Sequence, residues 1–137
     1  MSLEANRHIV RRLVEEAYNQ GQMAAAGELL APGFVGHSPV GETFGREEWK
    51  QGVLMLRTTF PDYRLTIDDL IAEGDRVVWR WTMHGTDRGG LAGRPPTGRT
   101  ATMYGINIER IEDGQIVESW TASDHTPMLQ ALGILGE

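Results

Sequence analysis

Residues 63–84 read YRLTIDDLIAEGDRVVWRWTMH, and this stretch decides the fold class of the 137-residue chain. Apolar and polar residues alternate on both sides of the triplet Glu73-Gly74-Asp75. The second run, RVVWRWTMH, is also rich in β-branched and aromatic residues, which favour strands. A glycine-centred turn between two alternating runs is typical of a β-hairpin. The stretch therefore predicts two antiparallel strands.

The alternation continues downstream of this hairpin. Further strands are predicted from Thr100 to Glu112 and from Gln115 to Ser123, with a turn between them. Residues 85–99, GTDRGGLAGRPPTGR, contain five glycines and two prolines and are predicted to form a long loop. Loops of this length in a compact domain are often functional.

The first 60 residues have helical periodicity instead. A first helix is predicted from residues that recur at helical spacing, namely Ile9, Val10, Leu13, Val14, Ala17 and Tyr18. A second helix is predicted at about Met23 to Leu30, and a third from Glu47 to Phe60, closed by Pro61. The tail from Thr126 to Leu132 is predicted to be helical as well.

Three helices followed by four strands indicate an α+β fold with an antiparallel sheet. The length suits one domain, and we assign residues 1–137 to it. Three amphipathic helices can cover one face of such a sheet. If the sheet curls, the helices close its mouth and leave a cavity against the concave face.

The composition excludes several classes of chemistry. The chain has no Cys, which excludes disulfides, thiolate metal sites and a Cys nucleophile. Lys50 is the only Lys, so Schiff-base chemistry is a poor fit. The net charge of −6 argues against binding nucleic acid. No run of about 18 apolar residues and no signal sequence is present, so we expect a cytoplasmic protein without membrane contact.

The last strand carries the first candidate site residue, Asp124. Alternation places Asp124 on one face with Trp120, Glu118 and Ile116, while His125 points the opposite way. A carboxylate among apolar side chains would be suited to proton transfer, because burial raises its pKa. The alternative is that Asp124 ends the strand and caps the tail helix, and spacing alone favours this capping role.

Histidines supply the other candidates. His37 follows Phe34 and Val35 in a polar loop, and His84 shares a face with Arg80 and Thr82. That face is either the cavity wall or the outer, solvated one. No metal-ligand motif joins the four scattered His residues, and we predict no metal site. The Trp residues on strands are interpreted as core or subunit contacts, with an aromatic ligand platform as the alternative.

Several short motifs together resemble the SnoaL-like polyketide cyclase family, within the nuclear transport factor two-like superfamily. The resemblance extends over about residues 6–133, and its most specific pieces are FPD at 60–62, EGDRV at 73–77, PPTG at 95–98, EDG-x-I-x-E-x-W-x-x-x-D at 112–124 and LQALG at 129–133. The resemblance implies a cone-shaped, strongly curved antiparallel sheet with three N-terminal helices enclosing a pocket. It also implies intramolecular aldol ring closure without metal or organic cofactor.

The resemblance assigns roles to residues. Asp124 corresponds to the family's acid/base carboxylate and His37 to its loop histidine, so both are predicted to be catalytic. Substrate-binding positions are expected at His84, Asn107, Trp120 and Tyr18. The expected ligand is small and hydrophobic or polyketide-like. We also expect a homodimer, with Trp79 or Trp81 in the contact, which light scattering would test.

One departure from the family pattern is informative. Many relatives have His where this chain has Asp87, in the segment Gly85-Thr86-Asp87-Arg88-Gly89. His84 is the nearest candidate to replace that side chain.

Three functions remain open from the sequence. The first is a cyclase, for which Asp124→Asn should abolish turnover and leave the fold intact. The second is a hydrolase or isomerase of the same fold, although no strand carries the Arg-x-Asp of one such branch. The third is a non-enzymatic ligand-binding protein, for which Asp124 would be bonded to backbone and unable to reach a ligand. An open pocket of a few hundred Å³ would favour an enzyme.

Overall fold

The computed structural model describes residues 2–135 and has one mixed six-stranded sheet with helices against its concave face. The chain order is α1 Leu3–Arg12, a π-helical segment Leu13–Asn19, α2 Met23–Leu29, β1 Leu30–His37, β2 Thr43–Phe44, α3 Arg46–Thr59, β3 Arg64–Glu73, β4 Arg76–Thr86, β5 Thr100–Glu112, β6 Gln115–Asp124 and α4 Thr126–Ala131. The strand order across the sheet is β2-β1-β6-β5-β4-β3.

The predicted first helix is confirmed, with a change of helix type halfway along. Ser2 caps α1, because its Oγ accepts a hydrogen bond of 3.0 Å from the Ala5 N–H. The apolar stripe is buried through the π-helical segment. At its end, Asn19 exchanges hydrogen bonds with the Leu65 backbone, at 2.9 and 2.7 Å. These bonds fix the helix against β3 and place Tyr18 above the sheet.

The predicted strands and turns are confirmed for β3, β4, β5 and β6. The two tight turns place Gly74 and Asp113 at positive φ, as short hairpin turns require. Pairing is antiparallel from β3 through β6. Two β-bulges interrupt this pairing: Asp68 is an extra residue in β3, and Val117 is an extra residue in β6. Bulges increase the local twist, which is consistent with the curvature of this unclosed sheet.

The prediction of a purely antiparallel sheet is wrong at one edge. Residues 30–37 form β1, which pairs in parallel with β6, and β2 adds a short antiparallel partner. The sequence showed only the apolar pair Phe34–Val35 there, because Pro32 and Gly33 disfavour a strand. The pairing is irregular between Leu30 and Val35, which is where those two residues lie.

The helices cover the concave face and leave the other face open to solvent. Phe60, Trp79 and Ile116 are among the side chains buried between the layers. Trp81 is also buried, so the expectation that Trp79 or Trp81 supplies a dimer contact is wrong. The homodimer itself stays a prediction. Within residues 2–135, no helix has both the length and the apolar character needed to cross a bilayer.

Candidate active site

A cavity of about 490 Å³ lies between the concave face of the sheet and the helices. Most of its wall is aromatic or aliphatic, and every layer of the fold contributes to it. The lining side chains are Tyr18, Ser38, Pro39, Phe44, Leu56, Tyr63, Leu65, Trp79, Trp81, Leu91, Ala92, Met103, Asn107, Thr121, Ser123, His125, Met128 and Leu129. Such a largely apolar cavity with a few polar groups is the usual form of a small-molecule site.

A second lobe of about 290 Å³ extends the cavity under α3. The two lobes share Tyr18, Phe44, Leu56, Asn107 and Thr121, so they adjoin across these side chains. The second lobe adds Ser119 on the sheet side. The larger lobe alone lies within the range of volumes that hold drug-sized ligands.

The polar groups of the cavity are concentrated on one wall, formed by β5 and β6. Asn107 is paired directly with Thr121, and Ser123 follows two residues later on the same face. His125 lies just beyond β6, where its Nε2 shares a hydrogen bond of 2.7 Å with the Ser123 hydroxyl. Of the described side chains that line either lobe, His125 is the sole imidazole, and Glu48, in the second lobe, is the sole carboxylate.

The Asn107 amide is held in one orientation. Its Oδ1 accepts a hydrogen bond of 2.9 Å from Trp81 Nε1, and its Nδ2 donates to Glu109 Oε1 at 3.2 Å. An indole N–H can only donate, so it fixes which end of the amide is oxygen. Gly105 makes this arrangement possible, because a Cβ there would lie 2.2 Å from a Trp81 ring carbon.

Two tyrosines, the partly buried Tyr18 and the buried Tyr63, also line the cavity. Burial raises the pKa of Tyr18 well above its ordinary value, and the nearby Tyr63 and Glu109 raise it further. Burial also raises the pKa of Tyr63. Tyr18 packs edge-on against Trp49, with ring centroids 5.0 Å apart. Both phenols are therefore neutral near pH 7 and can serve as walls and weak donors.

The expected position of Asp124 in the cavity is wrong. Asp124 does share a face with Trp120, as alternation predicted, but that face is the outer one. Its Oδ1 accepts a hydrogen bond of 3.0 Å from the Thr126 N–H, which is the capping alternative. The extra residue Val117 is the physical reason. It shifts the alternation of side chains by one residue, so that Ile116 before the bulge is buried while Trp120 and Asp124 after it face outward.

His37 and Trp120 also lie on the outer face, outside the cavity. Their rings stack with centroids 5.3 Å apart and nearly parallel planes. His37 Nε2 lies 2.7 Å from Glu118 Oε2, and Arg110 contacts the other oxygen of that carboxylate at 3.1 Å. The hydrogen bonds to His37 and Arg110 lower the pKa of Glu118. This cluster connects β1, β5 and β6 on the side away from the cavity.

His84 and Asp87 are likewise not brought to the cavity. His84 is exposed on the outer face, where Nδ1 lies 3.1 Å from the Thr102 hydroxyl. Asp87 is buried and accepts hydrogen bonds from Thr97, through both N–H and hydroxyl, and from the Gly90 N–H. Burial alone would raise the pKa of Asp87, but these hydrogen bonds outweigh it and lower the pKa.

Asp87 therefore anchors the base of the long loop, residues 87–99, instead of contributing to the site. The tip of that loop supplies Leu91 and Ala92 to the cavity wall. Ala92 has a φ of 51°, a conformation that side-chain-bearing residues rarely adopt. Where the resemblance led us to expect a His, this protein thus carries a structural side chain.

Of the predicted site residues, the structure brings Tyr18 and Asn107 together in the cavity. Asp124, His37, His84 and Trp120 lie elsewhere. Sequence reasoning did not assign Thr121, Ser123, His125 or Glu109 to the site. The sequence did contain an indication for His125, because strand alternation placed its side chain on the face opposite to that of Asp124. Across the chain from residue 2 to 135, no group of three or more metal-ligating side chains is assembled.

Comparison with known proteins agrees with this architecture. The model of the SnoaL-like polyketide cyclase family matches residues 8–132. The chain is 31% identical to aklanonic acid methyl ester cyclase DnrD of Streptomyces peucetius, over 91% of this chain and 88% of that protein. It is similar in structure to wild-type IdmH from Streptomyces antibioticus, with a TM-score of 0.85 and 36% identity over 93% of this chain and 98% of that one.

A third relative extends the agreement over nearly the whole chain. TsrD from Streptomyces laurentii is 30% identical, with a TM-score of 0.87 over 98% of this chain and 99% of that one. The shared architecture is the curved sheet and helical cover of the nuclear transport factor two-like fold. Because the family model spans most of the chain and the curated relative exceeds 30% identity over most of its length, the chain belongs to the SnoaL-like polyketide cyclase family.

Proposed function

We propose that this protein closes a ring in a polyketide-like ester by proton transfer inside the cavity, without a cofactor. The observation that carries the proposal is the polar wall of β5 and β6 in an otherwise apolar cavity. That wall combines an imidazole, His125, with an amide of fixed orientation, Asn107. A group that moves protons and a donor for a developing oxyanion are what an enolate-forming reaction needs.

The substrate class follows from the cavity walls and from one relative. Trp79, Trp81 and Tyr18 provide aromatic faces that suit planar rings. DnrD is named for a methyl ester of aklanonic acid. A neutral ester suits a cavity without a lining Lys or Arg among its described residues better than a free carboxylate does.

The chemical steps can be assigned to named side chains. His125 removes a proton from the carbon between two carbonyl groups, and Asn107 Nδ2 donates a hydrogen bond to the enolate oxygen. The enolate carbon attacks a ketone carbon of the same molecule and forms the new carbon–carbon bond. The resulting alkoxide takes the proton back from the His125 imidazolium. No atom is gained or lost, so substrate and product are isomers.

The apolar walls contribute by holding the reacting carbons close together. An intramolecular attack in a fixed geometry gains a large effective molarity, because the entropy of alignment is lost on binding and not in the transition state. The loop residues Leu91 and Ala92 complete these walls on the side of the long loop.

The proposal is tested with purified protein, aklanonic acid methyl ester and a chelator, without added cofactor. We expect a product of the same mass as the substrate with one more ring, identified by mass spectrometry and NMR. In D2O, the acidic carbon should acquire deuterium faster than in buffer alone. Release of methanol would instead indicate an ester hydrolase, and saturable binding without conversion would indicate a ligand-binding protein. Either result would contradict the cyclase proposal.

A further inference from the structure

Glu109 is a buried carboxyl that the steps above do not use. Only 2% of the residue is exposed, and it lies on β5 two residues from Asn107, on the same concave face of the sheet. Trp79 Nε1 and Asn107 Nδ2 both donate to its Oε1, at 3.1 and 3.2 Å. Its third partner is the Ser119 hydroxyl. All three partners line the cavity or its second lobe. Glu109 is therefore hydrogen-bonded to three side chains of the site.

The surroundings of Glu109 contain no cation among its described partners. Trp79 faces it from β4, Ser119 from β6, and Asn107 precedes it by two residues on β5. Tyr18 is the titratable group that faces it from the helical layer, and that phenol is neutral near pH 7. An ionised carboxylate here would therefore place an uncompensated negative charge next to the cavity.

We propose that Glu109 is a positioning residue that supports the reaction in its protonated form, by keeping the polar wall uncharged while it holds the Asn107 amide toward the substrate oxygen. The inference rests on the proposed function, since it concerns the donor to the enolate oxygen. Ionised Glu109 would repel that developing negative charge across a single amide group. Protonated Glu109 still accepts both N–H bonds through its carbonyl oxygen.

The balance of forces on Glu109 supports a titration in the working range of pH. Burial raises the pKa of Glu109 to about 7, against the smaller opposing effect of the hydrogen bonds from Ser119, Trp79 and Asn107. The pKa of Glu109 is therefore higher in the folded chain than in the unfolded chain. Its contribution to the free energy of unfolding is complete below pH 4.5, the ordinary pKa of Glu, and is lost as pH rises through about 7. Catalysis that needs the protonated form should fall as pH rises above about 7.

The test is the pH profile of kcat/KM for the wild type and Glu109→Gln. The Gln Oε1 can keep both N–H bonds, and its Nε2 remains for the Ser119 hydroxyl, so this variant is a neutral mimic of the protonated acid. We expect wild-type kcat/KM to fall about tenfold per unit above its pKa, reaching about 30-fold at pH 8.5. The variant should keep the activity of the wild type at pH 6 and exceed it by about 30-fold at pH 8.5.

The matched control is Glu118→Gln, which removes a carboxylate on the outer face of β6, next in sequence to Ser119, the residue paired with Glu109. It should reproduce the wild-type profile. The proposal is overturned if the Glu109→Gln profile coincides with that of the wild type. It is overturned equally if the variant is inactive at every pH while its circular dichroism and Tm at pH 6 match those of the wild type, since Gln should serve as well as the protonated acid.

A binding measurement separates this inference from the proposed function. Naphthalene-1-sulfonate keeps its charge across the pH range, so its fluorescence-detected Kd reports only on the protein. We expect the wild-type Kd to rise about tenfold between pH 7 and pH 8.5, and the Glu109→Gln Kd to stay constant. That result without ester conversion would contradict the proposed function alone. A wild-type Kd independent of pH would contradict the role of Glu109.

Discussion

Replacing His125 with Asn is expected to lower kcat for ring closure by about 100-fold to 10,000-fold, the usual contribution of a positioned general acid or base. Asn can keep a hydrogen bond to Ser123, but it cannot take up or release a proton. KM should change little, because the aromatic walls that bind the substrate are untouched. Steady-state kinetics and the rate of deuterium uptake at the acidic carbon both measure the effect.

The neighbouring residue provides the matched control for this prediction. Asp124→Asn keeps an oxygen that can accept from the Thr126 N–H, and Asp124 lies on the outer face. Its kcat should stay within about twofold of the wild-type value, since surface substitutions away from a site have small effects. If Asp124→Asn abolishes turnover and His125→Asn does not, the family assignment of the acid/base role to position 124 is correct and our assignment is wrong.

Replacing Asn107 with Ala should lower kcat/KM by about 100-fold to 1,000-fold, the effect of removing one oxyanion donor. The change also leaves Trp81 Nε1 without its acceptor, which costs about 1–3 kcal/mol of stability. Chemical denaturation measures that loss, and the kinetic comparison is made where both proteins are folded.

A second variant separates the donor itself from its orientation. Trp81→Phe keeps an aromatic wall but removes the N–H that fixes the Asn107 amide. We expect it to retain substrate binding and lose part of kcat, because the amide can then rotate. If Asn107→Ala turns over at the wild-type rate, the enolate oxygen is not bound at this wall.

Much of the fold could be predicted because its signals are local. Helical spacing in residues 9–18 and strict alternation in residues 76–84 each identify an element without knowledge of its partners. β1 could not be found this way. Its strand character comes from parallel pairing with β6, more than 80 residues away in the sequence, and Pro32 and Gly33 conceal it locally.

The site was predicted less well, for a reason that also concerns alternation. A period of two sorts a strand into two faces but does not say which face is inside. Apolar residues usually mark the inner face of a strand. On β5, however, Tyr104 and Ile106 face outward while Asn107 and Glu109 face inward. Alternation also predicted that Ile116 and Asp124 share a face. The extra residue Val117 between them places them on opposite faces.

The family resemblance identified the fold correctly, whereas side-chain roles depend on local packing. Asp87 illustrates this, because the residue at the position where the resemblance implies a His anchors a loop through Thr97 and Gly90. The composition also limits which side chains can carry protons. A chain without Cys and with one Lys leaves imidazole and carboxyl groups as its main proton carriers, and His125, Glu48 and Glu109 are the described ones that lie in or beside the two lobes of the cavity.

The most direct test of the central claim is a crystal structure of the protein with the cyclised product bound. We predict the product inside the cavity, with one oxygen within about 3.2 Å of Asn107 Nδ2 and its new hydroxyl within reach of His125. A product seated instead on the outer face, beside His37 and Asp124, would contradict the assignment of the reaction to the concave side of the sheet.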